Sequence, residues 1–483
     1  MTSSDANDSA RGDSAMAVFA KPPIQPAYLG KPPYLHTQKA RREVGRALRV
    51  MCPREHHAGW QPPADRPDPI DLLITSGQGR LERLLPIRHG RMLASPFGFF
   101  RGATPVMASD LASTPSTGYA VQACGDSHLL NFGAFATPER QIIFDINDFD
   151  ETFPAAWEWD LKRLAASFVI ASRANGHKAA DCRETAKGVV RFYARRLSEL
   201  AAMRAIDAWY SYLDYRDLIG LTEDAVLKRR REQVLEKALQ RDSAAEFVRL
   251  GHMVGGKPRI KDAPPLVYHP DEEDDPEFRD VITANFSLYR ESLPPERRVL
   301  FDRYELADVA MKVVGVGSVG CLCAIGLFFA SEGDALFLQV KQVAPSVLEP
   351  YVGSSPFASN GERVVFGQRL MQAASDIFLG HMIGVRGRHY YVRQLRDVKV
   401  RPMVEIFTPA NMLGFARNCA WALAAAHARS GDPAIIAGYI GKGPALAEAI
   451  AEFAIAYADQ NERDHASLIE AVRQGRLEAY FEE

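Results

Sequence analysis

Near residue 130 a single apolar strand separates two loops crowded with carboxylate and amide side chains, and this arrangement restricts the fold more than any other stretch of the chain. Residues 118–123 (GYAVQA) alternate like a strand, 125–133 (GDSHLLNFG) read as a loop, and 141–146 (QIIFDI) form a second strand running directly into NDFDE at 147–151. The apolar residues of that second strand must be buried, so both loops share one rim that carries five or more acids. Asp126 and Asn131 stand five residues apart with His128 between them, and the following segment adds Asp145, Asp148, Asp150 and Glu151. Two carboxylates and an amide suit a hard cation that prefers oxygen ligands, magnesium above all. A carboxylate left off the metal is placed to accept a proton from an attacking hydroxyl. The same residue types also make turns by bonding to their own backbone. Two such loops around one strand favour chemistry over turn formation alone.

The remaining pattern is helical before and after a β-rich stretch. A helix is expected over 36–50, a Pro-rich linker over 53–69 and one or two helices over 70–92, followed by the aromatic segment SPFGFFRG at 95–102. Helical spacing resumes at 159–204 and continues to about 250, and DEEDD at 271–275 reads as an exposed loop. From 308 three strands are expected, with a turn at 332–334, then a helix over 362–376, a strand over 389–395, and helices over 410–430, 434–459 and 464–481. At 483 residues, 47% hydrophobic and 24% charged, the chain is long enough for two large lobes. A net charge of −2 excludes a polyelectrolyte field, so no nucleic-acid partner is expected. Six scattered cysteines, no apolar leader and no long apolar span argue for a reduced, cytoplasmic protein without a membrane segment. Residues 1–35 read as a disordered arm.

Gly315, Gly317 and Gly320 form GVGSVG, with Ser318 inside the motif. A strand, a glycine turn and a second strand, rather than a helix, form the kinase-type arrangement in which backbone amides cover nucleotide phosphates. The third strand carries Lys341, placed to pair with phosphates. Glu349 or Glu362 qualifies as the glutamate partner that kinases supply from the next helix. The strand at 389–395 is a candidate adenine-binding hinge, with Arg393 either reaching a phosphate or serving as a structural ion-pair partner. Arg101 reads as a phosphate or acceptor contact, or as a structural partner of an acid such as Asp160.

These motifs resemble the small-molecule phosphotransferases of the kinase-like fold, the aminoglycoside and choline kinases: GDSHLLN at 125–131, NDFDE at 147–151 and WDLKRL at 159–164. The resemblance implies Asp126, with His128, as the catalytic positions, Asn131 and Asp148 as magnesium ligands with Asp145 as a rival and Asp150 assisting, and Asp160 as a structural residue at a helix start. Cys124 departs from the histidine usual in those enzymes. The order of motifs is inverted, since the catalytic-type loop precedes the glycine loop, and 418–432 looks like the helix that should come before the catalytic loop. The expected fold is therefore α+β, a circularly permuted kinase-like fold of two lobes. An N-terminal segment (36–117) precedes a catalytic-loop and helical lobe (118–300), a small antiparallel nucleotide lobe (301–400) and helices that complete the first lobe (401–483). The motif set as a whole also resembles an uncharacterised bacterial family of unknown function. The implied activity is transfer from ATP, with Mg2+, to a small-molecule hydroxyl acceptor. A metal-dependent phosphoesterase, a nucleotidyl transferase and a non-catalytic nucleotide-binding protein are the alternatives.

Overall fold

Helices in this chain start where a capping side chain precedes a proline, because proline lacks the N–H that a first helical turn leaves unpaired. In the computed structural model, which describes residues 35–481 apart from 221, 223, 240–242, 271–276, 314, 331–332, 396–398 and 401, this pairing recurs. The N-terminal arm and the DEEDD loop, with part of the turn at 332–334, lie outside the described residues. After helix α1 (Gln38–Met51), Asp68 caps α2 (Pro69–Gly77), α3 spans Leu85–Leu93, and Ser95 caps α4 (Pro96–Gly102), which runs on to α5 (Thr104–Ala112). Within the segment expected to be linker, a 3-10 turn (Arg54–His57) is followed by irregular, mostly exposed chain over 58–68. Arg66, inside the Pro-rich stretch, bridges Asp110 and Asp464 at 2.7 Å each.

The acidic region forms two strand pairs, not one. Strand β1 (Ala120–Ala123) pairs with β4 (Phe153–Ala156), and between them β2 (Phe132–Ala136) and β3 (Ile142–Ile146) make an antiparallel hairpin. The sequence reading missed β2 because FGAFA lacks β-branched residues, and it missed β4 behind its proline. Helices α6 (Trp157–Ala174) and α7 (Ala179–Ala202) follow, with α6 buried over nearly its whole length. A β-hairpin at 251–260 follows the helices that end at Leu250.

The second sheet has six strands. Beyond α8 (Phe278–Glu291), strands β5 (Glu305–Lys312), β6 (Cys323–Phe329) and β7 (Ala335–Gln342) form an antiparallel meander. Helix α9 (Asn360–Met371) then leads to β8 (Gly380–Ile383) and β9 (His389–Gln394). Across the sheet the order is β8, β9, β7, β6, β5 and the short strand Val267–Tyr268. Strand β9 pairs with β7 and, over 389–392, with β8.

The chain closes with α10 (Pro409–Ser430), α11 (Pro433–Ile440) and α12 (Pro444–Arg473). The break expected at 459–464 is absent. Gln460, Asn461 and Asp464 are polar but buried, and Asp464 holds Arg66. The architecture is mixed α+β with small antiparallel sheets. Among the described residues no helix is long and apolar enough to cross a membrane, and all six cysteines are free.

Candidate active-site cleft

One face of α6 grips the loop that follows β1. Asp160 accepts the backbone N–H of Cys124 at 2.6 Å and of Gly125 at 3.0 Å, and Ser167 Oγ accepts Leu129 N–H at 3.1 Å. Between them Arg163 donates through Nε to Asp126 Oδ1 at 2.8 Å, with Nη2 on the same oxygen. Residues 160, 163 and 167 share a helix face by their spacing. Behind Asp160 stands His427, 3.1 Å away, whose other ring nitrogen meets Tyr193 Oη at 2.7 Å. The loop needs glycine at 125: φ is +80°, and a Cβ there would sit 2.2 Å from Glu151 O.

This clamp sets the electrostatics of Asp126 and His128. Burial opposes ionisation of Asp126, but Arg163 beside it outweighs that and holds the carboxyl below the usual range. Burial, with Arg101 and Arg163 nearby, pushes His128 down to about 4, so the ring is neutral at pH 7. His128 Nε2 lies 3.8 Å from Asp126 Oδ2.

The second loop meets the glycine-hairpin sheet. Lys341, buried on β7, places Nζ 2.5 Å from Asp150 and 3.4 Å from Asp148, across 193 residues of sequence from the latter. Tyr391 Oη donates to Asp150 at 2.9 Å and Ser318 Oγ at 3.4 Å. Burial works against the lysine charge, yet the two aspartates hold it well above the usual range. Burial, then the Asp148 charge, pushes Asp150 upward. Asn131 ties the loops together, its amide nitrogen donating to Asp126 O at 3.1 Å and Asp148 O at 2.9 Å.

Two expectations are corrected and two open alternatives are narrowed. Asp145 does not line the cleft, its two oxygens accepting the N–H groups of Ile146 and Ala373. Neither Glu349 nor Glu362 pairs with Lys341: Glu349 accepts Ser355 N–H, and Glu362 accepts Ala358 N–H. In their place α9 turns Arg363 inward, which donates to Thr152 O, Asp150 O and Ala344 O at 2.7, 2.9 and 3.0 Å. Arg393 is structural, bound to Gln339 Oε1 at 3.1 Å and Asn147 O at 3.3 Å beside the Tyr391 ring. Arg101 lines the cleft and is not the partner of Asp160.

The N-terminal helices form the third wall. Arg80 donates to Gly317 O and Val319 O at 2.7 Å each, Arg91 to Gly315 O, and Leu81 N–H to Gly320 O at 2.7 Å. Gly315 and Gly320 take φ of +71° and +89°. The amides of Gly315, Gly317 and Ser318 donate to no acceptor among the described residues. The cavity enclosed by these parts is about 270 Å³, lined by Asp126, His128, Asp148, Asp150 and Glu151 on one side and by Arg80, Arg88 and Arg101 on the other. Among the described residues no three His, Cys, Asp or Glu side chains converge as a metal cage.

The sequence reading missed Arg163, Arg363, Arg80 and Arg88. For Arg163 a signal existed, since Asp160, Arg163 and Ser167 fall on one face of the helix by their spacing. The others carry no comparable mark. A family model described as "Uncharacterized protein conserved in bacteria (DUF2252)" matches residues 80–471. No curated protein and no solved structure matches the chain.

Proposed function

The chain belongs to this uncharacterised bacterial family, and from the cleft we propose that it is an ATP- and magnesium-dependent phosphotransferase of circularly permuted kinase-like fold, acting on a small-molecule hydroxyl. The observation that carries the reading is the contact of Lys341 with Asp148 and Asp150. It brings the strand that follows the glycine hairpin onto an acidic loop beside Asp126. The lysine stands on the third strand counted from the first of that hairpin, as in kinases. The permutation is supported by the end of α10, where Ser430 Oγ accepts Gln122 N–H at 3.1 Å and Asp432 N–H donates to Tyr119 Oη at 2.8 Å. A chain leaving α10 there lies directly against β1, so the helix precedes the catalytic-type loop in space though it follows it in sequence. Domain termini that lie close permit such rethreading.

The residues fit a magnesium ion delivered with the nucleotide. Asp148 and Asp150 crowd each other, which a cation relieves, and magnesium typically takes one or two carboxylates with phosphate oxygens and water completing its shell. Asp148, Asp150 and the Asn131 amide oxygen would hold it, and it would neutralise charge on the phosphates. Lys341 and the unpartnered glycine-loop amides bind the triphosphate. Asp126, kept ionised by Arg163, orients the acceptor hydroxyl and takes its proton as the bond to the γ-phosphorus forms and its bond to the β,γ-bridging oxygen breaks, ADP leaving with that oxygen. A phosphoesterase built on two protein-held metals needs more ligands than the described residues bring together.

The test is thermal shift with ATP, with and without Mg2+. Wild type and Asp126→Asn are expected to be stabilised, and Asp148→Asn and Lys341→Met to lose the shift. No shift in wild type ends the reading. ATP labelled at the γ- or α-phosphate, incubated with a metabolite extract, then separates phosphoryl from nucleotidyl transfer, and binding without transfer of either label identifies a non-catalytic nucleotide-binding protein.

A further inference from the structure

Arg88 is the exception among the buried arginines around the cleft. Arg163 has Asp126, Arg66 has Asp110 and Asp464, and Arg363 has three carbonyls. Arg88, 1% exposed and lining the cavity, donates only through Nη2, to Ser76 Oγ at 3.0 Å and Gly102 O at 3.1 Å. Its Nε and Nη1 reach no acceptor among the described residues. Burial, with Arg80 adding repulsion, pushes the guanidinium down to about 9. A buried guanidinium left without an acceptor is costly, and an anion is the group that removes the cost. Its neighbours suit one: Arg80 is satisfied by backbone carbonyls and not by a carboxylate, and Thr75 lines the same wall, while the Ser76 hydroxyl donates to Leu73 O at 2.8 Å and helps hold Arg88 in place.

We propose that Arg88, with Arg80 and Thr75, forms an oxyanion subsite that takes a phosphate or carboxylate group carried by the acceptor. The word acceptor rests on the phosphotransfer reading; the oxyanion site rests on Arg88 alone. The subsite is distinct from the phosphates held by the glycine loop. The carbonyls of Gly317 and Val319 point at Arg80, and in a planar trans peptide the N–H of the next residue points the opposite way. The amides of Ser318 and Gly320 therefore face away from the arginine wall. Two anions are thus separated across the loop, one on its amide side and one on its carbonyl side. The planar guanidinium fork matches either oxyanion in bidentate fashion. The acceptor is accordingly a small hydroxyl compound that already bears a negative group.

Calorimetric titration of the full-length protein with inorganic phosphate, and separately with acetate, tests this. Phosphate, acetate or both are expected to bind wild type at one site, phosphate alone indicating a phosphorylated acceptor and acetate a carboxylated one. Arg88→Met is expected to weaken that binding at least about tenfold, the scale of one charge-assisted hydrogen bond, and to leave Mg–nucleotide binding in place. Should methionine at this buried position prevent folding, Arg88→Lys keeps the charge, loses the fork and is expected to show a similar weakening. Saturation with Mg2+ and a non-hydrolysable ATP analogue is expected to leave the oxyanion site accessible. The proposal is overturned if neither anion binds wild type, if the folded Arg88 variant binds as tightly, or if the nucleotide analogue displaces the anion. Anion binding without nucleotide binding would instead refute the phosphotransfer reading and leave the subsite standing.

Discussion

The two walls of the cleft balance their charges in opposite ways. On the acidic rim the charges shown to carry the geometry are answered within the protein: Asp126 by Arg163, Asp148 and Asp150 by Lys341, and Asp160 by two backbone amides and His427. On the arginine wall Arg80 is spent on glycine-loop carbonyls, and Arg88 keeps two nitrogens without an acceptor among the described residues. The rim is therefore a pre-organised surface, its geometry set before any ligand arrives. The wall stores an unsatisfied charge, as a binding surface does when its partner is a ligand.

The sharpest way to break this contrast is to remove rim chemistry without disturbing rim structure. Asp126→Asn keeps the shape of the side chain and is expected to reduce transfer about 10²–10⁴-fold, the usual worth of a positioned base, while thermal shift by Mg–ATP persists. Undiminished turnover would remove Asp126 from the reaction. If the rim is self-compensating, cutting a pair should be costly. Arg163→Met leaves the Asp126 charge stranded and is expected to lower stability in urea by about 3 kcal/mol, the low end for a broken buried pair because Asp126 is partly exposed. Adding Asp126→Asn should recover part of that loss, and strict additivity would deny the pair its role.

Smaller effects probe the supports. Asp160→Asn keeps one acceptor for the Cys124 and Gly125 amides and should cost about 2 kcal/mol, read in the same urea experiment. A cost near zero would mean that the loop holds itself. A pH slope probes the same rim independently. His128 binds protons less readily when folded, at about 4 against an unfolded 6.5. The unfolded chain is therefore protonated first, and stability falls as pH drops from 6.5 toward 4. Replacing His128 with Gln should flatten that segment of the stability profile, and an unchanged slope would place the titration elsewhere.

Legibility differed between the same two walls. The rim was readable because its residues are close in sequence and their types state their chemistry: a loop ending in Asn131, one apolar strand, then Asp148 and Asp150. The partner of Lys341 was misassigned, because which charge a buried lysine meets depends on how the helix after its strand is rotated. Here α9 turns Arg363, not Glu362, toward the loop. Asp145 was misassigned because its place in the motif does not show that its carboxylate is taken up by the Ile146 and Ala373 amides.

Local pattern alone determined the mixed α+β class, the strand-glycine-strand hairpin, the acid-rich loops and the long α6, because side-chain periodicity and turn chemistry act over a few residues. Tertiary structure decided the rest: the meeting of Lys341 with Asp148 and Asp150, the arginine that holds Asp126, and the wall built from residues 69–105. These are electrostatic contacts between segments separated by tens to hundreds of positions. Coulomb attraction depends on distance in space and on burial, and neither quantity is written in the spacing of residues along a chain.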